Sequence, residues 1–224
     1  MKKLLIFDAY GTLISTGSGS VDSSRRILAL QGKEIDPVIF YSDWKKYHRK
    51  HIDESIHGEF LVEWDIFVKD LKCLYEDYQI NRDYKDDVKL MLETQFNRKT
   101  FEEVKSVIKK LKEKYRVVIG STADTYPLIK KMEDNNLSVH KVYTSEIIKT
   151  YKPDTKFYEY ILKNEGYKAN EAVFIGDSLL DDIFGPSKLG ITTVLIDRKY
   201  NISIKDVKPD YIINDLNELL EIEF

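Results

Sequence analysis

One cysteine, Cys73, stands in 224 residues, so no internal disulfide framework can staple the fold and its core must come from packing. Long apolar runs are missing too. The N-terminal stretch Leu4–Phe7 is too short for a secretory signal and far below the roughly 20 residues of a membrane span. Charge of one sign is also lacking: 35 Lys and Arg stand against 38 Asp and Glu, a formal net charge of -3. No global field therefore draws the chain to nucleic acid or to an anionic membrane, and any phosphate binding must be local. Proline and glycine are sparse, five and ten residues, whereas 15 Tyr and 10 Phe supply the apolar surface that disordered chains lack. A soluble, reduced, cytoplasmic protein is expected, with no nucleic-acid or membrane partner, no internal repeat and no low-complexity tract.

Five short apolar runs read as strands: Lys3–Phe7, Val117–Ile119, Val173–Ile175, Thr192–Ile196 and Tyr211–Ile213. Being continuous rather than alternating, they fit strands buried on both faces. Between them, Phe101, Val104, Val107, Ile108 and Leu111, and again Phe157, Tyr158, Ile161 and Leu162, recur at helical spacing. The alternation predicts an α/β, doubly wound parallel sheet, with ligands bound outside the carboxyl ends of its strands. Residues 16–98 differ. They carry no strand-like run, and helical periodicity shows in Trp44–Ile52 and in Phe60, Trp64, Phe67, Val68 and Leu71. This predicts an all-helical insertion between a core of residues 1–15 and 99–224. Gly17–Ser20 reads either as a flexible connection to it or as an ordinary polar turn.

Polar residues cluster where the strands and loops end: Asp8 to Thr12, Ser121-Thr122, Lys152-Pro153, and Gly176-Asp177-Ser178 followed by Asp181-Asp182. In a parallel sheet those ends converge, so residues scattered along the chain can meet in one crevice. Their types suit a phosphoryl group. Asp8 is a candidate nucleophile, Asp177 a partner for it around one Mg²⁺, and Lys152 a counter-charge to the substrate. The hydroxyls and backbone amides of Thr12, Ser121 and Thr122 could bond the substrate oxygens.

With these motifs the chain resembles the haloacid dehalogenase-like hydrolases, through Phe7-Asp8-Ala9-Tyr10-Gly11-Thr12-Leu13, Gly120-Ser121-Thr122, Tyr151-Lys152-Pro153-Asp154 and Gly176-Asp177-Ser178 to Asp182. The resemblance spans nearly the whole chain, and in that family a helical cap commonly enters between the first and second motifs. It implies a Rossmann-like core, Asp8 as nucleophile, and metal ligation by the Asp8 carboxylate, the Tyr10 main-chain oxygen and Asp177. The second acid of the fourth motif falls on Asp181 or Asp182.

Two departures matter. In the phosphatase branch a second Asp usually stands two residues after the nucleophile to protonate the leaving group; here it is Tyr10, whose phenol, with an ordinary pKa near ~10, is a poor base at neutral pH. The first loop is in this respect similar to that of the 2-haloacid dehalogenases, whose halide needs no proton. Tyr158 and the pair Trp44-Lys45 extend that likeness, but Lys45 replaces an arginine and Thr122 an asparagine. Asp177 also stands where those metal-free enzymes carry no acid. The expected activity is Mg²⁺-dependent hydrolysis of a small phosphate monoester through an aspartyl-phosphate on Asp8. Alternatives are a metal-free dehalogenase using Asp8, or a catalytically weakened binding or regulatory protein. Lys45, Thr122, Tyr10 and Ser178 are the expected substrate contacts, although Ser178 equally suits a helix cap. His48 and His51, with the basic run Lys45–Lys50, read as a solvated helix face, and Cys73, beside Leu71 and Leu74, as an inert buried thiol.

Overall fold

The structure, a computed structural model, describes residues 4–95, 98–198 and 207–224. The chain forms two compact units, Met1–Ser15 with Lys99–Phe224, and Thr16–Arg98. The first is built on six parallel strands: β1 (Leu4–Phe7), β2 (Arg116–Ser121), β3 (Lys141–Thr144), β4 (Ala172–Gly176), β5 (Thr192–Ile196) and β6 (Tyr211–Ile213). Their order across the sheet is β3-β2-β1-β4-β5-β6. Winding runs outward from β1 in both directions, so the chain reverses between β1 and β4, where a crevice opens at the carboxyl ends.

The apolar runs are continuous because both sheet faces are covered. In β1, Leu5 and Phe7 join Val117, Ile119, Val173 and Ile175 in one cluster, while Leu4 and Ile6 join Val118 and Phe174 in another. Alternate side chains thus leave opposite faces. β3 has no such signature: Lys141 is exposed, Val142 half-buried, and only Tyr143 and Thr144 are enclosed. It is an edge strand whose residues, Lys141 to Thr144, form no continuous apolar run by which to read it.

In the other unit four helices, α1 (Gly19–Leu30), α2 (Pro37–His57), α3 (Glu63–Asp77) and α4 (Tyr84–Gln95), enclose their own core around Ile27, Phe40, Trp44, Leu71 and Leu74. α2 starts where Pro37 follows Asp36, whose side chain accepts from the Val38 amide at 2.7 Å. Gly17–Ser20 is neither a four-residue linker nor a plain turn. Gly17 takes a left-handed φ of 51°, and α1 already begins at Gly19, with the Ser18 hydroxyl donating to Asp22 at 2.6 Å.

The histidines depart most from expectation. His51 is buried and His48 half-buried, and both face Asp70 of α3, which is fully enclosed. His51 Nδ1 lies 2.6 Å and His48 Nδ1 2.8 Å from the Asp70 carboxylate, and Trp44 Nε1 donates to it at 3.2 Å. Positions 44, 48 and 51 form one stripe of α2, and a buried carboxylate needs that many donors. The clue lay in α3, where an Asp stands inside the stripe Ile66, Phe67, Leu71 and Leu74. Cys73 is half-buried rather than enclosed; burial first, then the Glu76 charge, pushes its thiol pKa up.

The first unit is completed by α5 (Val104–Lys112) and α6 (Thr125–Asp134), whose apolar stripes cover one face of the sheet, then α7 (Ser145–Ile148) and α8 (Thr155–Glu165), which covers the other. No helix among the described residues is long and apolar enough to cross a membrane.

Candidate active site

Asp8 is the first residue beyond β1, and its amide donates to the Ile175 carbonyl of β4 at 2.8 Å. The chain then folds on itself: Leu13 and Ile14 both donate to the Ala9 carbonyl, and Gly11 donates to that of Ile14. Gly11 sits at φ +95°, and a Cβ there would collide with the Asp177 carboxylate. A Cβ on Gly176 would likewise strike Asp182. Both glycines are therefore required for close approach of an acid to the backbone, and Gly11 for its conformation as well.

Lys152 lies in the loop between α7 and α8, where Asp154 caps α8 by accepting from the Lys156 amide at 3.1 Å. Its ammonium is 2% exposed and donates to Asp8 Oδ1 at 2.8 Å and to Asp182 Oδ1 at 2.6 Å. Asp8, Asp177 and Asp182 each offer a carboxylate oxygen within 4.8 Å of the others. Three neighbouring acids thus stand against one ammonium, which reaches two of them, and the electrostatics record the imbalance. Burial, then the charge of Asp8, pushes the Asp177 pKa up to about 7. Asp182 is driven well above the carboxylate range, again by burial first, although Lys152 opposes the shift. Burial also works against the Lys152 ammonium, but Asp182 and Asp8 outweigh it and hold its pKa above the ordinary value.

In the first loop, two buried polar atoms, Asp8 Oδ2 and Thr12 Oγ1, have no hydrogen-bond partner. An unpaired carboxylate oxygen among three acids is the environment that a hard divalent cation satisfies, and the all-oxygen donor set fits Mg²⁺. Water and hydroxyl groups alone would leave the excess negative charge in place.

Asp8, Lys152, Asp177 and Asp182 are therefore brought together. Asp181 lies outside this cluster: it is half-buried in the helical turn Leu179–Phe184, and its carbonyl accepts from the Tyr158 hydroxyl. Only Asp182 points back to Lys152. Ser178 serves as that turn's cap, accepting from the Asp181 amide at 3.2 Å, while its own amide donates to Asp182 Oδ2 at 3.0 Å. Ser121 is the buried last residue of β2, Thr122 follows half-buried, and Thr12 is fully buried in the Asp8 loop. Tyr10 is half-buried and packs against the core. Lys45 belongs to the helical unit, exposed on α2 with its ammonium 5.1 Å from the Tyr41 ring centre.

Arg198 was not legible in the sequence. It follows β5, and its Nη2 donates to the Thr12 carbonyl at 2.8 Å and lies 2.7 Å from Glu103 Oε1. Its only sequence signal is a charged pair, Asp197-Arg198, at the end of an otherwise apolar strand.

A family model described as haloacid dehalogenase-like hydrolase matches residues 5–196. A glyceraldehyde 3-phosphate phosphatase from Methanocaldococcus jannaschii is 42% identical over 82 residues, a stretch spanning 36% of this chain and 36% of that protein. One of the same name from Pyrococcus furiosus is 27% identical over 226 residues, 88% of this chain and 93% of the relative. Among solved structures, the L-2-haloacid dehalogenase from Xanthobacter autotrophicus with chloropropionic acid covalently bound superposes with a TM-score of 0.81 at 14% identity, over 99% of this chain and 98% of that one. That likeness carries the fold and no more. With a family match over residues 5–196 and the same parallel-sheet fold in its structural neighbours, the chain belongs to the haloacid dehalogenase-like hydrolases.

Proposed function

We propose that the protein is a Mg²⁺-dependent phosphatase of small phosphate monoesters, with Asp8 as nucleophile. The observation that carries this reading is the asymmetry of Asp8: Oδ1 is held by Lys152 while Oδ2 is buried and unpaired, beside two further acids. A metal-free site would gain nothing from Asp177, which costs repulsion with an anionic substrate. The relatives named phosphatases of a triose phosphate support the substrate class.

In this reading Asp8, Asp177 and the main-chain oxygen of Tyr10 hold Mg²⁺, with Asp182 beside them. The ion, when bound, supplies positive charge to the phosphoryl oxygens. An Asp8 carboxylate oxygen attacks phosphorus, the ester P–O bond breaks, and the leaving oxygen takes a proton from water. A second water then attacks phosphorus of the aspartyl-phosphate, the Asp8 O–P bond breaks, and inorganic phosphate and a proton leave as the Asp8 carboxylate is restored. Lys152 fixes the orientation of Asp8 and offsets charge that gathers on the phosphoryl group. Asp182 in turn holds Lys152. Ser121, Thr122 and Thr12 donate to phosphoryl oxygens, and the Ser178 backbone steadies Asp182. The helical unit Thr16–Arg98 takes the part of the family's cap.

The direct test is turnover of phosphate esters with Mg²⁺ and with chelator. Asp8→Asn is expected to lose about 10⁴-fold or more in kcat, and chelation to abolish activity; full turnover in chelator would refute the reading. Tyr10 favours one rival, the dehalogenase. Metal-independent halide release from a 2-haloacid, measured in parallel, would establish that rival instead.

A further inference from the structure

We propose that Arg198 is a positioning residue that locks the backbone of the Asp8 loop, and so sets the geometry of attack rather than substrate affinity. This rests on the reading of Asp8 as nucleophile. The loop from Asp8 to Ile14 closes its own turn through Ala9 and Gly11, and Gly11 holds a backbone conformation at φ +95°. Beyond the turn, two consecutive carbonyls are held by groups outside the loop. Arg198 Nη2 donates to Thr12 O at 2.8 Å, and the Phe101 amide donates to Leu13 O at 3.1 Å.

These two grips are one assembly. The Arg198 guanidinium lies 3.6 Å over the Phe101 ring and pairs at 2.7 Å with Glu103, both charged side chains being largely buried, at 14% and 12% exposure. Stacking and a charge partner fix the plane of the guanidinium, which a lysine could not reproduce. The peptide unit so held carries Thr12, whose buried hydroxyl is unpaired, four residues from Asp8. None of these contacts reaches the reacting atoms, so Arg198 acts through the loop.

The experiment uses the full chain with Arg198→Met, Arg198→Lys and Glu103→Gln. For Arg198→Met, kcat per folded molecule is expected to fall by about 10- to 100-fold, with KM changed by less than about threefold. Arg198→Lys should recover part of that loss, and Glu103→Gln should lose less than Arg198→Met. Independently of any reaction, hydrogen exchange of peptides spanning residues 8–15 should quicken in Arg198→Met while residues 104–121 stay protected. If Arg198→Met fails to fold, the other two variants decide, and full kcat with unchanged exchange in both overturns the proposal. So does a kcat for folded Arg198→Met within about twofold of the parent, or unchanged exchange over residues 8–15. Should the parent protein hydrolyse no phosphate ester, the reading of Asp8 falls on its own test and the exchange measurement still settles whether Arg198 locks the loop.

Discussion

Lys152 is the residue on which the site's charge balance turns, because its buried ammonium is shared by Asp8 and Asp182. Lys152→Met keeps the length of the side chain but leaves buried acids uncompensated. Turnover is expected to fall by about 10³-fold or more, a loss that kcat measurements at saturating Mg²⁺ would reveal; near-parental kcat would contradict the role given to Lys152. Tyr10 sets a second test. Without a placed acid, phosphate esters of acidic alcohols such as 4-nitrophenol should be cleaved far faster than alkyl phosphates. Tyr10→Asp should narrow that gap by about 10²-fold by accelerating the alkyl esters. An equal rate on both ester types in the parent protein would show that another group delivers the proton.

At the scale of elements, α2 and α3 are joined through a polar knot inside an apolar core. Asp70→Ala would leave the buried donors of Trp44 and His51 unpaired and is expected to destabilise the protein by about 2–4 kcal/mol. Denaturant unfolding measures this, and a change below about 0.5 kcal/mol would mean that water or a new tautomer replaces the carboxylate. The elements also show why some parts of the molecule were legible and others were not. β1, β2, β4 and β5 announced themselves because central parallel strands are apolar throughout. Of the two edge strands, β6 was legible from its run Tyr211–Ile213 although its first two residues are exposed, whereas β3 carries no apolar run. Asp8 and Asp177 could be named because each follows a readable strand, and Lys152 because it stands shortly before a readable helix. The choice between Asp181 and Asp182 could not be made, since it depends on which of two adjacent side chains the turn Leu179–Phe184 directs inward. His48 and His51 looked like a solvated stripe because their partner, Asp70, is about 20 residues away in sequence on another helix.

For the molecule as a whole, the excess of acids over bases in the site should make stability depend on pH and on divalent cation together. Burial raises the Asp177 pKa from 3.8 to about 7, and Asp182 is raised as well. A raised carboxylate means that the folded state holds its proton more firmly than the unfolded chain. The metal-free protein should therefore lose stability as pH rises from about 4 through 7. Mg²⁺ should reverse this, so its effect on Tm is expected to be larger at pH 8 than at pH 6. Differential scanning calorimetry at the two pH values, with and without the ion, checks it. An equal Mg²⁺ effect at both would show that these acids do not titrate as a metal-linked group.

The sequence by itself determined the parallel α/β core, the helical insertion, the family likeness and the residue types that a phosphoryl site demands, because periodicity and strand-end chemistry are local properties of the chain. Only the tertiary structure decided which acid answers Lys152, that Asp8 keeps one oxygen unpaired, that two histidines serve a buried aspartate, and that Arg198 grips the loop from 186 residues away. Those facts depend on which side chains the fold brings within a few ångströms, and no spacing along the sequence encodes such distances.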